Sequence, residues 1–339
     1  MCAGGDGTHT IIQLIPGVFL LKPFAFVFTG QGSQSVGMLD AWGDHPVVLQ
    51  TLEEASSALG QNVGQLIRDG SKEDLALTTN TQPVMLVAGV AAYRVWMAEV
   101  GTAPAFVAGH SLGEYAALVA SGALTLAQAA PLVRFRAQAM QDAVPVGTGA
   151  MAAILGLDAT KIIAACAHIT LATAKYGLQN DAVVEAVNFN DPLQTVIAGS
   201  KAAVDKACEI LKAEGAKRTL LLQVSAPFHS SLMKPAAEKL KEKLAEISFA
   251  PLQIPLINNV DVAIETDASR IRDALYRQAF NAVRWVECVK AIKAQSIGHI
   301  IEGGPGKVLS GLVKRIDTDL TGAPLFDPLT LSQAKELLL

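Results

Sequence analysis

Charged residues make up only 17% of this 339-residue sequence, aromatic residues only 5%, and the net charge is −4. A general basic surface for nucleic acid or anionic lipid is therefore not expected, and few rings are available for base stacking. The four cysteines, Cys2, Cys166, Cys208 and Cys288, stand far apart without CxxC spacing. That pattern argues against a zinc knuckle or a disulfide framework and reads as free thiols in a reducing compartment. No internal repeat and no low-complexity tract interrupts the chain.

A basic region ahead of the first apolar run is also missing. Ile11 to Leu21 has the length of a secretory core but follows Asp6, so residues 1–21 are expected to be a poorly ordered extension and not an export signal. Leu75 to Tyr93 and Tyr115 to Val133 carry no charge and are long enough to test as membrane spans. Both contain Pro and several Gln, Thr or Ser residues, and buried helices of a large α/β core fit them better.

Hydrophobic residues are plentiful, at 51%, enough for a substantial core. FAFVF at Phe24 to Phe28 reads as a buried strand stopped by TGQGSQ. Pro83 opens an apolar helical stretch, and Pro104 to Ala108 is a second short strand. The GHSLG turn follows, and helical spacing then runs from Glu114 to Arg136, interrupted by Gly122 and Pro131. From Gly149 to Ser225 the order becomes β-α-β-β-α-β, an inserted compact subdomain. A helix at Lys234 to Ala245, the apolar stretch PLINNV, a helix at Asp267 to Phe280 and a last strand, HIIEGG, should rejoin the first sheet. The expected division is residues 22–148 with 223–320 as a large subdomain, 149–222 as a small one, and 321–339 as a C-terminal tail.

Gly109-His110-Ser111-Leu112-Gly113 fits G-x-S-x-G, in which two glycines let a strand turn sharply into a helix and leave the serine exposed at the helix N-terminus. Backbone N–H groups there can receive the oxyanion of an acyl transfer. The Leu112 N–H is one expected donor and the backbone of Gln31 is the candidate for the second. A serine needs a base, and of the six histidines His229 is the best placed, in a proline-bounded loop after a strand. No acid between Ser111 and His229 has a supporting context, so a Ser-His dyad oriented by a carbonyl or amide is the simpler reading. Two rival motifs fail: Gly30-Gln31-Gly32 is followed by Ser35 where a dinucleotide loop needs glycine, and GGPGKVLSG lacks the first glycine and the Ser/Thr of a phosphate-binding loop.

These residues resemble the malonyl-CoA:acyl carrier protein transacylases of bacterial fatty acid synthesis. The resemblance runs from about Lys22 to Ile316, and FVFTGQGSQSVGM, TQPVML, GHSLGEYAAL, VNFN, PFHSSLMKPAA, NNVD, RQAFNAVRW and GPGKVLSGLVKRI carry it. It implies an α/β-hydrolase-like large subdomain with an inserted ferredoxin-like small one. It also implies Ser111 as nucleophile, His229 as base, and Gln31 and Leu112 as backbone oxyanion donors. The backbone of Gln278 would orient the histidine, Gln82 would line the cleft, and Arg136 would grip the substrate carboxylate. Phe228 resembles the malonyl-selecting position of modular polyketide acyltransferases, where a ring would crowd a methyl branch.

The activity so implied is malonyl transfer from malonyl-CoA to acyl carrier protein through a malonyl-serine, by a cytoplasmic monomer without a metal or redox cofactor, coenzyme A being part of the substrate. Neither nucleic acid nor membrane is an expected partner. The alternatives are a discrete acyltransferase of a polyketide synthase, a serine acyl hydrolase, or a non-catalytic module. The sequence departs from the family in its N-terminal extension and in an insertion near Cys166 to Asp181, within the small subdomain.

Overall fold

The run FAFVF forms β1 (Phe24–Phe28), with every residue buried. Because side chains alternate across a strand, Phe24, Phe26 and Phe28 enter one hydrophobic cluster while Ala25 and Val27 enter another. Burial on both faces suits a central parallel strand, which needs no polar alternation. The computed structural model describes residues 21–339; residues 1–20, nearly all of the expected extension, lie outside the described residues.

After β1 come α1 (Pro46–Leu59), α2 (Val63–Asp69), α3 (Lys72–Ala76), α4 (Thr78–Glu99), β2 (Phe106–Gly109), α5 (Gly113–Ala120) and α6 (Leu126–Asp142). The inserted segment is β3 (Gly149–Leu155), α7 (Ala159–Leu171), β4 (Val184–Asp191), β5 (Gln194–Ser200), α8 (Lys201–Ala213) and β6 (Arg218–Leu221). The chain then runs through α9 (Lys234–Ala245), β7 (Leu256–Ile257), β8 (Ile264–Glu265), α10 (Ala268–Gln278), α11 (Trp285–Ala294), β9 (His299–Gly303), α12 (Val308–Ile316), β10 (Thr321–Leu325) and α13 (Pro328–Leu338).

Six strands form a sheet in the order β10-β9-β1-β2-β7-β8, parallel throughout except for β8. Four form a separate antiparallel sheet in the order β4-β5-β3-β6. The fold is thus α/β with an inserted antiparallel unit, in the β-α-β-β-α-β order expected.

Several boundaries differ from the sequence expectation. The first long helix begins at Thr78, ahead of Pro83, which sits in its second turn and forfeits one intrahelical hydrogen bond there. The stretch after GHSLG is two helices: the break falls before Thr125, whose capping box with Gln128 starts α6, and Pro131 lies inside α6 without ending it. PLINNV contributes only Leu256–Ile257 as strand. Residues 321–339 are not a tail, and HIIEGG is not the last strand. Among them β10 pairs with β9, and Leu325, Ala334 and Leu338 are buried in the main core.

The register places the site. Phe28 lies opposite both Gly109 and Gly303, so the loops after β1, β2 and β9 leave the same carboxyl edge. Strand β4 ties the inserted sheet to that edge: Phe189 N–H donates to Val283 O at 3.0 Å and Val283 N–H to Val187 O at 2.8 Å.

Candidate active site

Strand β2 ends at Gly109 and α5 begins at Gly113, leaving three residues for the turn. A Cβ on Gly109 would stand 1.9 Å from the Gly113 carbonyl carbon, and one on Gly113 would stand 2.1 Å from Phe28 O. Only glycine fits at either position, so the close approach that makes the turn is built into both. Ser111 takes φ +52 and His229 takes φ +66, left-handed conformations that non-glycine residues adopt at a cost. The two strained residues face each other.

Ser111 Oγ lies 2.6 Å from His229 Nε2, and His229 Nδ1 lies 2.8 Å from Gln278 O. A carbonyl only accepts, so Nδ1 carries the ring proton and donates it, leaving the Nε2 lone pair toward the serine. Burial, and after it the Arg136 guanidinium, lowers the His229 pKa from 6.5 to about 3 against the effect of the Gln278 carbonyl. The ring is therefore neutral at neutral pH and able to accept a proton. The partner of Nδ1 is thus a backbone carbonyl and not an acid.

Arg136 on α6 is 2% exposed and reaches the same point. Its Nη1 donates to Gln82 Oε1 at 2.7 Å, and its Nη2 to Gln278 Oε1 at 3.2 Å and Ser111 Oγ at 3.3 Å. The guanidinium carbon stands 5.5 Å from the Tyr115 ring centroid. Its Nε has no acceptor, and no carboxylate among the described residues is within ion-pair distance of it. Burial pushes its pKa down, with Tyr115 and Glu114 acting the other way.

The Ser111 N–H is already used, donating to Asn259 Oδ1 at 2.7 Å. The Leu112 N–H takes no acceptor among the described residues, nor does the Gln31 N–H. Gln31 follows Gly30, whose Cβ position is 2.7 Å from His110 O, so the two turns lie against each other. Phe228 is buried in the main core immediately before His229.

The other histidines are elsewhere. His110 turns away from the serine, as its place in the turn suggested, and pairs through Nε2 with Asn190 Oδ1 at 2.8 Å. His45 Nδ1 accepts from Val47 N–H to cap α1, His168 lies on α7 and His299 on β9, while His9 lies outside the described residues.

Sequence reasoning passed over three buried polar groups here. Asn259 Nδ2 donates to Gly109 O at 2.7 Å, beneath the nucleophile turn. Glu114, 1% exposed, accepts at Oε2 from Asn259 N–H at 3.0 Å and Gln278 Nε2 at 2.9 Å. Gln278 Nε2 also donates to Ser111 O at 3.1 Å, so its side chain matters as well as its backbone. Burial raises the Glu114 pKa from 4.5 to about 7, although Gln278, Asn259 and Arg136 all pull it down. For Asn259 a signal existed, since Asn258-Asn259 ends an apolar strand, whereas Glu114 and the Gln278 side chain carry none that separates a buried group from a solvated one.

The rival phosphate reading of GGPGKVLSG meets an occupied helix start. Glu302 accepts there from Leu309 N–H at 2.9 Å and Ser310 N–H at 2.7 Å. Among the described residues no cluster of potential metal ligands occurs and no helix is long and apolar enough to cross a membrane. Cys166, Cys208 and Cys288 are free, and Cys2 lies outside the described residues.

Comparison with known proteins gives the family. The acyl transferase domain family matches residues 25–313. A malonyl CoA-acyl carrier protein transacylase of Escherichia coli strain K12 is 51% identical over 318 residues, 94% of this chain and 100% of its own. The crystal structure of an acyl-carrier-protein S-malonyltransferase from Burkholderia pseudomallei 1710b superposes with TM-score 0.88 at 59% identity, covering 93% of this chain and 99% of its own. A malonyl-transacylase solved in complex with its type II polyketide synthase acyl-carrier protein superposes with TM-score 0.89 at 49% identity, covering 93% and 100%. With the serine elbow, its histidine and the inserted antiparallel sheet all in place, the chain belongs to the acyl transferase domain family, among its malonyl CoA-acyl carrier protein transacylases.

Proposed function

We propose that the protein transfers a malonyl group from malonyl-CoA to the phosphopantetheine thiol of acyl carrier protein, supplying fatty acid synthesis. The observation that carries this reading is Arg136, a buried guanidinium with no carboxylate among the described residues in ion-pair range, 3.3 Å from the serine oxygen. A buried cation is costly without a partner. An acyl group that ends in a carboxylate supplies that partner through two parallel hydrogen bonds.

The malonyl tail binds Arg136, whose other support comes from Gln82. Ser111 Oγ attacks the thioester carbonyl as its proton passes to His229 Nε2, and the Gln278 carbonyl stabilises the imidazolium through Nδ1–H. The oxyanion takes the free Leu112 and Gln31 N–H groups; one such donor lowers the barrier by roughly 3 kcal/mol. Collapse breaks the carbon–sulfur bond, and the coenzyme A thiolate takes the proton from His229. The carrier thiol then gives its proton to His229 and attacks malonyl-Ser111, and Ser111 regains the proton as it leaves. Protein groups and the two thiols complete every step. Phe228, buried next to His229 in sequence, is the candidate for crowding a branched acyl chain, and the free thiols Cys166, Cys208 and Cys288 suit the cytoplasm.

One relative was solved with a polyketide synthase carrier, so the carrier is the part of this reading with a specific rival. Intact-mass measurement after brief incubation with malonyl-CoA, followed by addition of each carrier type, tests both. A malonyl adduct that is absent in Ser111→Ala and moves to the fatty acid carrier faster than to water is expected. No adduct on the unaltered protein rejects the function, and preferential loss to water makes it a hydrolase.

A further inference from the structure

We propose that Glu114 is a specificity-positioning residue, which fixes the side-chain amide of Gln278 so that the Gln278 oxygen holds Arg136 toward the substrate's acid tail. The proposal rests on the reading of Arg136 as the group that binds this tail.

The polarity of the contacts carries the inference. Gln278 is 0% exposed, and its amide must face two ways at once. On one side stand Glu114 Oε2 at 2.9 Å and the Ser111 carbonyl oxygen at 3.1 Å, each in contact with Nε2. The carbonyl is only an acceptor, and the carboxylate is one whenever ionised. On the other side stands Arg136 Nη2 at 3.2 Å from Oε1, and a guanidinium only donates. Turned around, the amide would set its oxygen against the carboxylate and its NH2 against the cation. The Glu114 carboxylate, as the shorter and charged contact, together with the Ser111 carbonyl therefore selects the orientation that gives Arg136 an acceptor.

Glu114 is itself held by the Asn259 N–H at 3.0 Å and by its place in the first turn of α5, directly behind the nucleophile turn. The histidine's support does not pass through this side chain, because His229 is held by the Gln278 backbone carbonyl at the end of α10. Loss of the Glu114 charge should therefore misplace Arg136 while leaving the serine and its base in register. A mutation that merely loosened the core would slow all acyl groups together.

Steady-state transfer from malonyl-CoA and from acetyl-CoA, measured well above the Glu114 pKa of about 7 so that its carboxylate is ionised, on Glu114→Gln, Gln278→Leu and the double variant, tests this, with Arg136→Ala marking complete loss of tail recognition and thermal melting confirming that each variant is folded. Glu114→Gln should raise the KM for malonyl-CoA and lower the malonyl-over-acetyl preference in kcat/KM by about tenfold or more, the scale of one hydrogen bond to a charged group. Any fall in acetyl transfer should be much smaller than the fall in malonyl transfer, and the double variant should lose no more preference than Gln278→Leu alone, since both act along one relay. An unchanged preference in Glu114→Gln, an equal fall with both substrates, or losses that multiply in the double variant would each overturn the proposal. Unaltered protein that is indifferent to the acid tail would overturn the proposed function as well, which separates the two failures.

Discussion

Burial acts in opposite senses on His229 and Glu114, two titratable groups that both feel the Arg136 charge. The histidine's folded pKa is lowered from 6.5 to about 3, so the stability it contributes is present above pH 6.5 and is lost as pH falls toward 3. The Glu114 pKa is raised from 4.5 to about 7, so its contribution is present below pH 4.5 and is lost as pH rises through about 7. Between pH 4.5 and 6.5 the two slopes oppose each other, one proton against one. Melting temperature measured over this range should therefore fall with rising pH more steeply in His229→Gln than in the unaltered protein. Identical slopes in the two proteins would show that His229 is not held neutral by the fold. Of these groups Ser111 and His229 were legible as residue types in a motif and a loop. Glu114 was not, because a carboxylate beside a glycine turn reads the same in sequence whether it is solvated or buried.

Gly113 decides the geometry of an entire strand-turn-helix element. Its missing Cβ lets α5 approach β1 so closely that the added atom in Gly113→Ala would overlap Phe28 O at 2.1 Å. Both partners are backbone, one in a central strand, so neither can yield as a flexible side chain would. Urea unfolding should show a loss at or beyond the upper end of the usual cost of overpacking, about 3 kcal/mol, and the soluble fraction should also lose acyl-serine formation. Wild-type stability in this variant would mean that the turn relaxes. The spacing of glycines made this element readable from sequence, and the aromatic run made β1 readable. Helix ends were harder: Pro83 looked like a start because its ring suits a first turn, but burial of the apolar stretch outweighs one missing hydrogen bond. The division between α5 and α6 depended on the Thr125 capping box, a local signal available in TLAQ.

On the scale of the whole molecule, the last 19 residues test how far the large sheet depends on its edge. Strand β10 covers β9, α13 packs Ala334 and Leu338 into the main core, and Lys22 N–H donates to Leu338 O at 2.8 Å, joining the two ends of the described chain. A protein ending at Leu320 would lose the buried Leu325 and Leu338 side chains, at about 1.5–3 kcal/mol each, and expose a parallel strand edge. It should melt well below the full chain and aggregate on heating, as differential scanning fluorimetry and light scattering would report. A truncated protein with an unchanged melting temperature would show the segment to be dispensable. TGAPL is short, contains proline and glycine, and lacks an apolar alternation, so its sequence does not mark it as a strand. Its pairing comes from the neighbouring strand.

What the sequence determined by itself was local: the buried strand at FAFVF, the glycine-relieved serine turn, the order of elements in the insertion, and the residue types able to perform acyl transfer. Tertiary structure decided which distant groups meet. Ser111 and His229 are separated by 118 positions, and Glu114 and Gln278 by 164, yet each pair is in hydrogen-bond contact. The physical reason is that a periodic pattern reports only which face of an element is buried. Whether Arg136 is a solvated helix residue or a buried cation awaiting an anion depends on what the sheet, α4 and α10 place around it.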